Sequence, residues 1–457
     1  MSLCRNILTI LVVLVLAGCA VYSPKPLPAG PSFSRDISHV SINSAEMTLP
    51  GLAAHRFDPS NGLDMTEVAM LAVVNNPELK LARDDCGIAR AQAFAAGLLP
   101  DPQLSASLDI PTNKIAGSNY TAYGLGLNYD IFSLFIRSIA KRAAAAESRK
   151  TDLTLLWQEW QVTAQARLFF IRNLEQVRLM KVLEENRYLL ADRYEHAAKA
   201  LEEGNLTLDA ASSDLAALQD AKRQISDLSR KVYQNRFDLN QLVGVDPGMK
   251  LHLVGDASLP PLDDLKIKEI LPHLAERRPD LLALKAGYGS QDLKFRKAVL
   301  EQFPALNIGI ARARDTSDVN TIGFGITMNI PLFNRNRGNV AIEKATRKRL
   351  YDEYQMRLNR AYGDIEQLLA DQRLTERQLS EAKEGLSLLT EAAANAEAAY
   401  KEGDIDVTSY LNLRLALANK RIEEIGLEQL ILEQRVALQT LIGGELPLNS
   451  KYQGEGS

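Results

Sequence analysis

The second half of this chain repeats the first at an offset of about 200 residues (403 − 204 = 199). Glu202-Glu203-Gly204-Asn205 leads through a long stretch of mixed polar and apolar residues to Leu242-Val243-Gly244, and Lys401-Glu402-Gly403-Asp404 leads through another to Leu441-Ile442-Gly443. The glycine spacing is identical, 244 − 204 = 40 and 443 − 403 = 40. Earlier anchors pair as well: Asn76-Pro77-Glu78-Leu79 with Arg278-Pro279-Asp280-Leu281, Leu99-Pro100 with Phe303-Pro304, and Asp130-Ile131-Phe132 with Pro331-Leu332-Phe333. A period this long is a duplicated structural unit, not a solenoid repeat. It predicts two copies of one motif packed with pseudo-symmetry.

The opening residues read as an address. Arg5 is followed by an almost unbroken apolar run from Ile7 to Leu16 and then by Leu16-Ala17-Gly18-Cys19. A charged start, a short apolar core and small residues make a secretory signal, too short to span a bilayer. The ending resembles a bacterial lipobox, which implies cleavage before Cys19 and diacylation of its thiol. Ala20, in place of an aspartate, is the residue associated with sorting to the outer membrane. An ordinary signal peptide with an incidental cysteine is the competing reading. Cys4 leaves with the leader and Cys86 stands alone on a helical pattern, so no disulfide framework exists and Cys86 reads as a small packed residue. The net charge of −4, or −5 without Arg5, argues against a nucleic-acid partner.

The hydrophobic period switches along the chain. Leu63 to Leu99 is helical in pattern, with Asp64 a plausible cap and Pro77 a start or kink. Leu104, Ala106, Leu108 and Ile110 then alternate with Gln103, Ser105, Ser107 and Asp109, and Tyr123, Leu125, Leu127 and Tyr129 alternate with Gly124, Gly126, Asn128 and Asp130. The second half does the same with Leu306, Ile308 and Ile310, and with Ile322, Phe324, Ile326, Met328 and Ile330. Period two predicts strands. Apolar-out, polar-in strands of about this length suit a membrane barrel. Four strands cannot close one, because the smallest have about eight and open edges are forbidden in lipid. The four are therefore either a soluble sheet on helices or one share of a barrel built by several chains, three chains giving 3 × 4 = 12 strands.

Each hairpin precedes a very long helical stretch. Leu134 to Leu201 contains neither proline nor glycine, and Gly338 to Tyr400 contains only Gly363 and Gly385 inside. Roughly 65 residues at 1.5 Å each span about 100 Å, beyond any globular domain. The returning segments carry heptads, Leu218, Ile225, Val232 and Leu239 in one copy and Leu411, Ala418, Ile425 and Leu432 in the other, as antiparallel knobs-into-holes packing requires. Further apolar positions such as Leu417, Ile431 and Leu438 widen the stripe, as a helix with two neighbours in a closed wall needs. A plain four-helix coiled coil explains the heptads equally well.

Taken in that order, the residues resemble the outer-membrane efflux protein family, the TolC-like channel components of tripartite exporters. The matching features are the lipobox, the two helix–hairpin–long-helix–turn–helix units, the Asn-Pro-Glu-Leu and Arg-Pro-Asp-Leu starts, the Ile330-Pro331-Leu332-Phe333 strand exit, and Tyr400-Lys401-Glu402-Gly403 at the second tip. Phe333-Asn334-Arg335-Asn336-Arg337-Gly338 resembles the heavy-metal-cation branch. The resemblance implies a mainly α fold with a small β part: a homotrimeric α-helical barrel continued by a 12-strand transmembrane β-barrel, four strands per chain. It implies a chain lipid-anchored at Cys19 in the outer membrane, working with a periplasmic adaptor (membrane fusion) protein and an inner-membrane pump of RND type. The expected layout is a leader at 1–18, a lipidated arm at 19–62, a first repeat at 63–244 with its hairpin at 103–130, a linker at 245–275, a second repeat at 276–443 with its hairpin at 305–330, and a tail at 444–457.

No catalytic constellation, cofactor motif or metal-ligand spacing is present in the sequence, and His39, His55, His196, His252 and His273 are scattered. The places left for function are the two helix-turn-helix tips. Gly204 and Gly403 are expected to reverse the chain in the left-handed region. In the family the tips form the periplasmic entrance. Asp209, Asp214, Asp404 and Asp406, multiplied by three, are expected to ring it, attract cations and repel anions, with polar contacts near Tyr400 holding it shut. Family members often carry aspartates six and nine residues after the second tip glycine, where this chain has Ser409 and Asn412. Two functions compete: a passive export duct from periplasm to exterior, and a periplasmic coiled-coil adaptor or spacer lipoprotein without a pore. A spacer has no use for the four alternating strands.

Overall fold

A computed structural model of the chain describes residues 22–37, 42–43, 47–112, 120–259 and 264–444. The leader, Cys19 and the tail after 444 lie outside the described residues. The chain is mainly helical with one small antiparallel sheet, and the order helix, hairpin, long helix, return helix occurs twice. After a short α1 (Pro50–Ala53), the first unit comprises α2 (Met65–Asn75), α3 (Pro77–Ala96), β1 (Gln103–Asp109), β2 (Ala122–Asp130), α4 (Phe132–Glu202) and α5 (Leu208–Leu242). The second comprises α6 (Asp264–Ile270), α7 (Leu274–Arg277), α8 (Pro279–Leu300), β3 (Leu306–Arg314), β4 (Asn320–Met328), α9 (Arg337–Glu402) and α10 (Val407–Leu441).

Local chemistry sets the helix boundaries. Asp64 Oδ1 accepts the Thr66 and Glu67 amides at 2.8 Å, and Glu67 Oε2 accepts the Asp64 amide at 2.9 Å, a reciprocal cap for α2. Pro77 lacks an amide proton and pushes Asn76 to an extended conformation (ψ 126), which ends α2 and starts α3. The buried Asn76 side chain then works twice: Oδ1 accepts the Leu79 amide and Nδ2 donates to the Leu242 carbonyl at the end of α5, both at 2.9 Å. Arg278 does the same before Pro279. Its guanidinium grips Asp280 at 3.0 and 2.9 Å and donates to the Leu441 carbonyl at 3.5 Å, at the end of α10. Each proline-started helix thus ties down the last turn of a return helix. Gly244, just beyond α5, is fixed by space and by conformation: φ is +66°, and a Cβ there would lie 2.6 Å from the Asn75 carbonyl oxygen.

The segment 245–275, expected as a linker, includes short helices. It holds α6, a 3-10 turn at Leu271–His273 and α7. Ile267, Leu271 and Leu274 fall at helical spacing and bury against Ile365 and Leu369 of α9 and Leu438 of α10. The largest core lies at the middle of the helical part, where Met70, Leu71 and Ala72 of α2 pack on Leu156, Ala166 and Phe170 of α4 and on Leu239 of α5.

All four strands form one antiparallel sheet in chain order β1-β2-β3-β4, the middle pair joining the two halves. β3 runs three residues past the predicted alternation to Arg314, whose guanidinium pairs with Asp318 at 2.7 Å and stacks on Tyr120 at 4.9 Å. Below the sheet, α4 packs between α3 and α8, and α9 lies beyond α8. Nearer the tips, α4 packs between α5 and α10, and α9 lies beyond α10. Each level is therefore a strip with the same two flanks, one formed by β1, α3 and α5 and the other by β4 and α9. No helix among the described residues is long and apolar enough to cross a membrane.

Candidate functional site

The register sorts the sheet into two faces. Leu104, Leu108, Leu125, Leu127, Ile310, Ile322, Phe324 and Ile326 share one face, because Leu104 pairs with Leu127, Leu127 with Ile310, and Ile310 with Phe324. All eight are at least half exposed in the single chain, Ile322 at 81% and Phe324 at 68%. The other face carries Gln103, Ser105, Ser107, Asn128, Asn307 and Thr327 among small residues. That face is crowded. A Cβ on Gly126 would lie 2.6 Å from Ser105 Oγ, and one on Gly124 2.7 Å from Ser107 Oγ. The crowding is confined to β2 and β3 on that face, since Gly323 and Gly325 of β4 have open space where a Cβ would be.

At the opposite end, two helical hairpins turn. Gly204 (φ +76°) and Gly403 (φ +85°) both adopt the left-handed conformation, with open space where a Cβ would be. The Asn205 amide donates to the Ala200 carbonyl and the Asp404 amide to the Ala399 carbonyl, each at 2.8 Å, closing the last turns of α4 and α9. Thr207 caps α5 and Asp406 caps α10, where Asp406 accepts the Ser409 amide at 2.8 Å and the Ser409 hydroxyl at 3.0 Å. Those two bonds hold the Asp406 carboxyl below its ordinary value.

The acidic residues expected to ring the opening divide by environment. Asp209 and Asp404 are exposed. Asp406 is exposed but committed to the cap of α10. Asp214 is not free: it is buried on α5, and the Arg193 guanidinium of α4 holds it at 2.7 Å. The helical period places Asp214 on the stripe of Ala211 and Leu218, facing α4, which corrects the expectation of a fourth open carboxylate. The same guanidinium donates to Asn412 Oδ1 of α10 at 2.5 Å. One arginine therefore links α4, α5 and α10 beside the apolar cluster of Leu189, Leu190, Leu218, Ala221, Leu411 and Leu415.

Tyr400 enters a second link. Its ring stacks on Tyr410 of α10 with centroids 5.1 Å apart and planes 2° from parallel. The Tyr410 hydroxyl accepts from Arg414 at 3.3 Å, and Arg414 pairs with Glu185 of α4 at 2.9 Å. Arg193, Tyr410, Arg414 and Glu185 are the tip residues that sequence reasoning missed. Their signal was weak, since each is an ordinary polar residue on a helix, and only the packing of α4 on α10 brings them together.

Two further features are accounted for without a ligand. His55 Nε2 lies 3.1 Å from Asp64 Oδ2, and with Glu67 these residues form a group of metal-competent atoms that histidine spacing alone does not reveal. Asp64 Oδ1 and both Glu67 oxygens already accept backbone amides, so the group serves as a helix cap. Cys86 is buried, and burial together with the nearby Asp152 carboxylate pushes its thiol up to about 11, leaving it unreactive.

Residues 270–444 match the family model described as outer membrane efflux protein. That match lies in the second of the two repeats. Along its length it is similar to the probable outer membrane lipoprotein SilC of Salmonella typhimurium, 24% identical with 96% of this chain and 98% of SilC covered. It is also similar to the cation efflux system protein CusC of Escherichia coli K12, 22% identical with 97% of this chain and all (100%) of CusC covered. Among solved structures it resembles the Campylobacter jejuni CmeC outer membrane channel, with a TM-score of 0.70 at 16% identity over 95% of this chain and 97% of CmeC. The outer-membrane channel OprN gives a TM-score of 0.70 at 16% identity, with 94% of this chain and 100% of OprN covered. The chain thus has a TolC-like channel fold.

Proposed function

We propose that this protein is the outer-membrane duct of a tripartite efflux system, a passive homotrimer open from periplasm to exterior and gated at the helix tips. The observation that carries this reading is the four-stranded sheet. It presents one exposed apolar face and one polar face, and both its edge strands, β1 and β4, lack a partner on one side among the described residues. Three copies give a 12-strand barrel with the apolar face toward lipid and Ser105, Ser107 and Asn128 toward water. The helices α4 (71 residues) and α9 (66 residues) then continue it as a tube about 100 Å long. An adaptor and an inner-membrane pump of RND type supply the energy, and a lipid anchor at Cys19 holds the arm to the membrane.

The tip is the gate in this reading. Arg193 and the Arg414–Glu185 pair hold the hairpins together at rest, the Tyr400–Tyr410 stack bracing the second hairpin from within, and exposed Asp209 and Asp404 set a cation preference. The name of CusC, a cation efflux system protein, supports the same preference. The test is purified protein in planar bilayers, read with light scattering in detergent. Trimers with stepwise cation-selective conductance are expected, and Asp404→Asn with Asp209→Asn reduces the selectivity. A monomer without conductance would instead identify the coiled-coil spacer and end the proposal.

A further inference from the structure

The apolar face of the sheet carries one charge that nothing in the chain balances. In register, Leu104, Leu127, Ile310 and Phe324 form one row across the four strands, and the next row is Ala106, Leu125, Arg312 and Ile322. Arg312 therefore stands on the apolar face, exposed, with Leu125 on one side and Ile322 on the other. β2 and β4 end where α4 and α9 follow, so the Arg312 row lies toward the sheet end remote from the helices. In the rim row beyond it the polar groups satisfy one another. The Tyr123 hydroxyl donates to Asn320 Oδ1 at 3.4 Å, and Arg314 between them pairs with Asp318 at 2.7 Å.

The acids near this end are all committed or face away. Asp318 holds Arg314, and Asp315 Oδ1 accepts the Ser317 and Val319 amides at 2.8 and 3.0 Å. Asp109 falls on the polar face, two positions beyond Ser107, and residues 113–119 contain no acid. Among the described residues Arg312 has no carboxylate partner. A guanidinium on a lipid-facing surface costs little only near the edge of the hydrocarbon, where its stem lies along apolar neighbours and its head reaches polar lipid groups. The height of the row fits that edge. From Ile322 to Ile330 the apolar residues of β4 and its exit cover eight residues, about 27 Å along the strand and about 20 Å across a bilayer at a tilt of about 40°, close to the usual band of about 25 Å.

We propose that Arg312 is a lipid-binding residue, which holds the phosphate of an acyl lipid at the outer rim of the barrel while the acyl chains pack on Leu125, Ile310 and Phe324. Charge complementarity selects the phosphate, because the guanidinium offers a fork of donors and has no acceptor in the chain. The apolar rows directly beneath it select a lipid over a free anion, since only a lipid brings hydrocarbon to cover them. The inference rests on the membrane-barrel reading above and adds a ligand to it.

The experiment uses full-length trimers in nanodiscs of phosphatidylcholine containing phosphatidic acid as the probe, with the lipids retained by each trimer counted by native mass spectrometry. Wild type is expected to retain phosphatidic acid in preference to phosphatidylcholine, and Arg312→Gln to weaken that preference about fivefold. Arg312→Lys falls between them, because an ammonium keeps the charge and lacks the fork. Arg360→Gln, at the surface of α9 well below the sheet, leaves the preference unchanged. A wild-type trimer without the preference overturns the proposal, and so does an equal preference in wild type and Arg312→Gln. Displacement of the lipid by millimolar inorganic phosphate shows that the site reads a free anion, and overturns the lipid as its occupant. A chain that stays monomeric or does not enter the discs overturns the membrane-barrel reading itself.

Discussion

Arg193 is the side chain whose removal most directly tests the gate. It lies on α4, pairs with Asp214 of α5 at 2.7 Å and donates to Asn412 of α10 at 2.5 Å. The side chains of the pair are 26% and 11% exposed, so neither extreme for an ion pair applies. Exposed pairs contribute about 0.2–1 kcal/mol, and breaking a fully buried pair costs about 3–5 kcal/mol because a charge is left without compensation. Between those limits, Arg193→Ala is expected to cost about 2 kcal/mol per protomer. Every 1.4 kcal/mol is tenfold, so the local ratio of closed to loosened tip falls about 30-fold.

The assay is resting conductance of trimers in planar bilayers, with thermal unfolding in parallel. Arg193→Ala raises the resting conductance. Arg193→Lys falls between it and wild type, because an ammonium on a flexible stem cannot hold the carboxylate and the amide in one plane as a guanidinium does. Asp214→Ala combined with Arg193→Ala costs less than the sum of the single changes, the excess being the coupling of the pair. Arg223→Ala is the control, since its partners Asp220 and Asp227 lie on its own helix at the surface. A folded Arg193→Ala trimer with wild-type conductance and stability would refute the three-helix link as a restraint.

Other expectations follow from single contacts. Gly126→Val places side-chain carbon against Ser105 on the crowded face, and overpacking of about 1–3 kcal/mol is expected to lower the temperature at which the sheet unfolds, read as heat-modifiable migration in detergent. Gly403→Ala meets no atom but forces an L-residue to φ +85°, costing about 1–2 kcal/mol and showing as faster amide exchange in the last turn of α9. Glu433 gives a pH dependence. Its burial alone would raise its carboxyl, yet bonds from Arg172 (2.9 and 3.0 Å) and Gln429 hold it below the ordinary 4.5. A depressed carboxylate contributes stability that is present above 4.5 and lost as pH falls through the lower folded value. Arg172→Ala therefore destabilises the chain at pH 7 and removes the part of the acid sensitivity that this pair supplies, as thermal melts from pH 7 to 3 will report.

The sheet was legible because period two is a strong signal over eight or nine residues, and Leu125, Leu127, Ile322, Phe324 and Ile326 all fall on one face. The long helices were legible because α4 contains no proline or glycine. The short helices in the linker were not, because α6 and α7 hold only about three turns between them, too few for a helical period to show. The tip was half legible. Gly204 and Gly403 announce the reversals by spacing, and the helical period sets Asp214 on the stripe of Ala211 and Leu218, but the period does not say that Arg193 of α4 meets it there while Asp209, five positions earlier, faces water. Five residues on a helix turn the side chain by about 140°, and the environment changes with it. Asn412 is instructive in the same way. Read against the family it is a missing carboxylate; in the fold it is an acceptor for an arginine that already has one.

The open edges bear on how such a chain reaches the membrane. The single chain exposes 29094 Å², about 1.7 times the roughly 17,000 Å² expected of a compact monomer of 50.5 kDa. In water that surface is tolerable, because unpaired groups on β1 and β4 can bind solvent. In hydrocarbon they cannot, and each unsatisfied backbone group costs several kcal/mol. A strand of seven residues and one of nine, each with about half of its groups pointing away from the sheet, would together lose tens of kcal/mol if one copy inserted alone. No gain from burying Ile322, Phe324 and their neighbours, at about 1.5–3 kcal/mol for each large apolar side chain, clearly outruns that loss for four strands. Pairing β1 of one copy with β4 of the next removes it altogether. Closure and insertion are thus expected to be one event, and a chain held as a monomer should be removable from vesicles by alkaline wash. An inserted, wash-resistant monomer would show that a lone sheet can bear its edges in lipid, and the argument from edge satisfaction would fail.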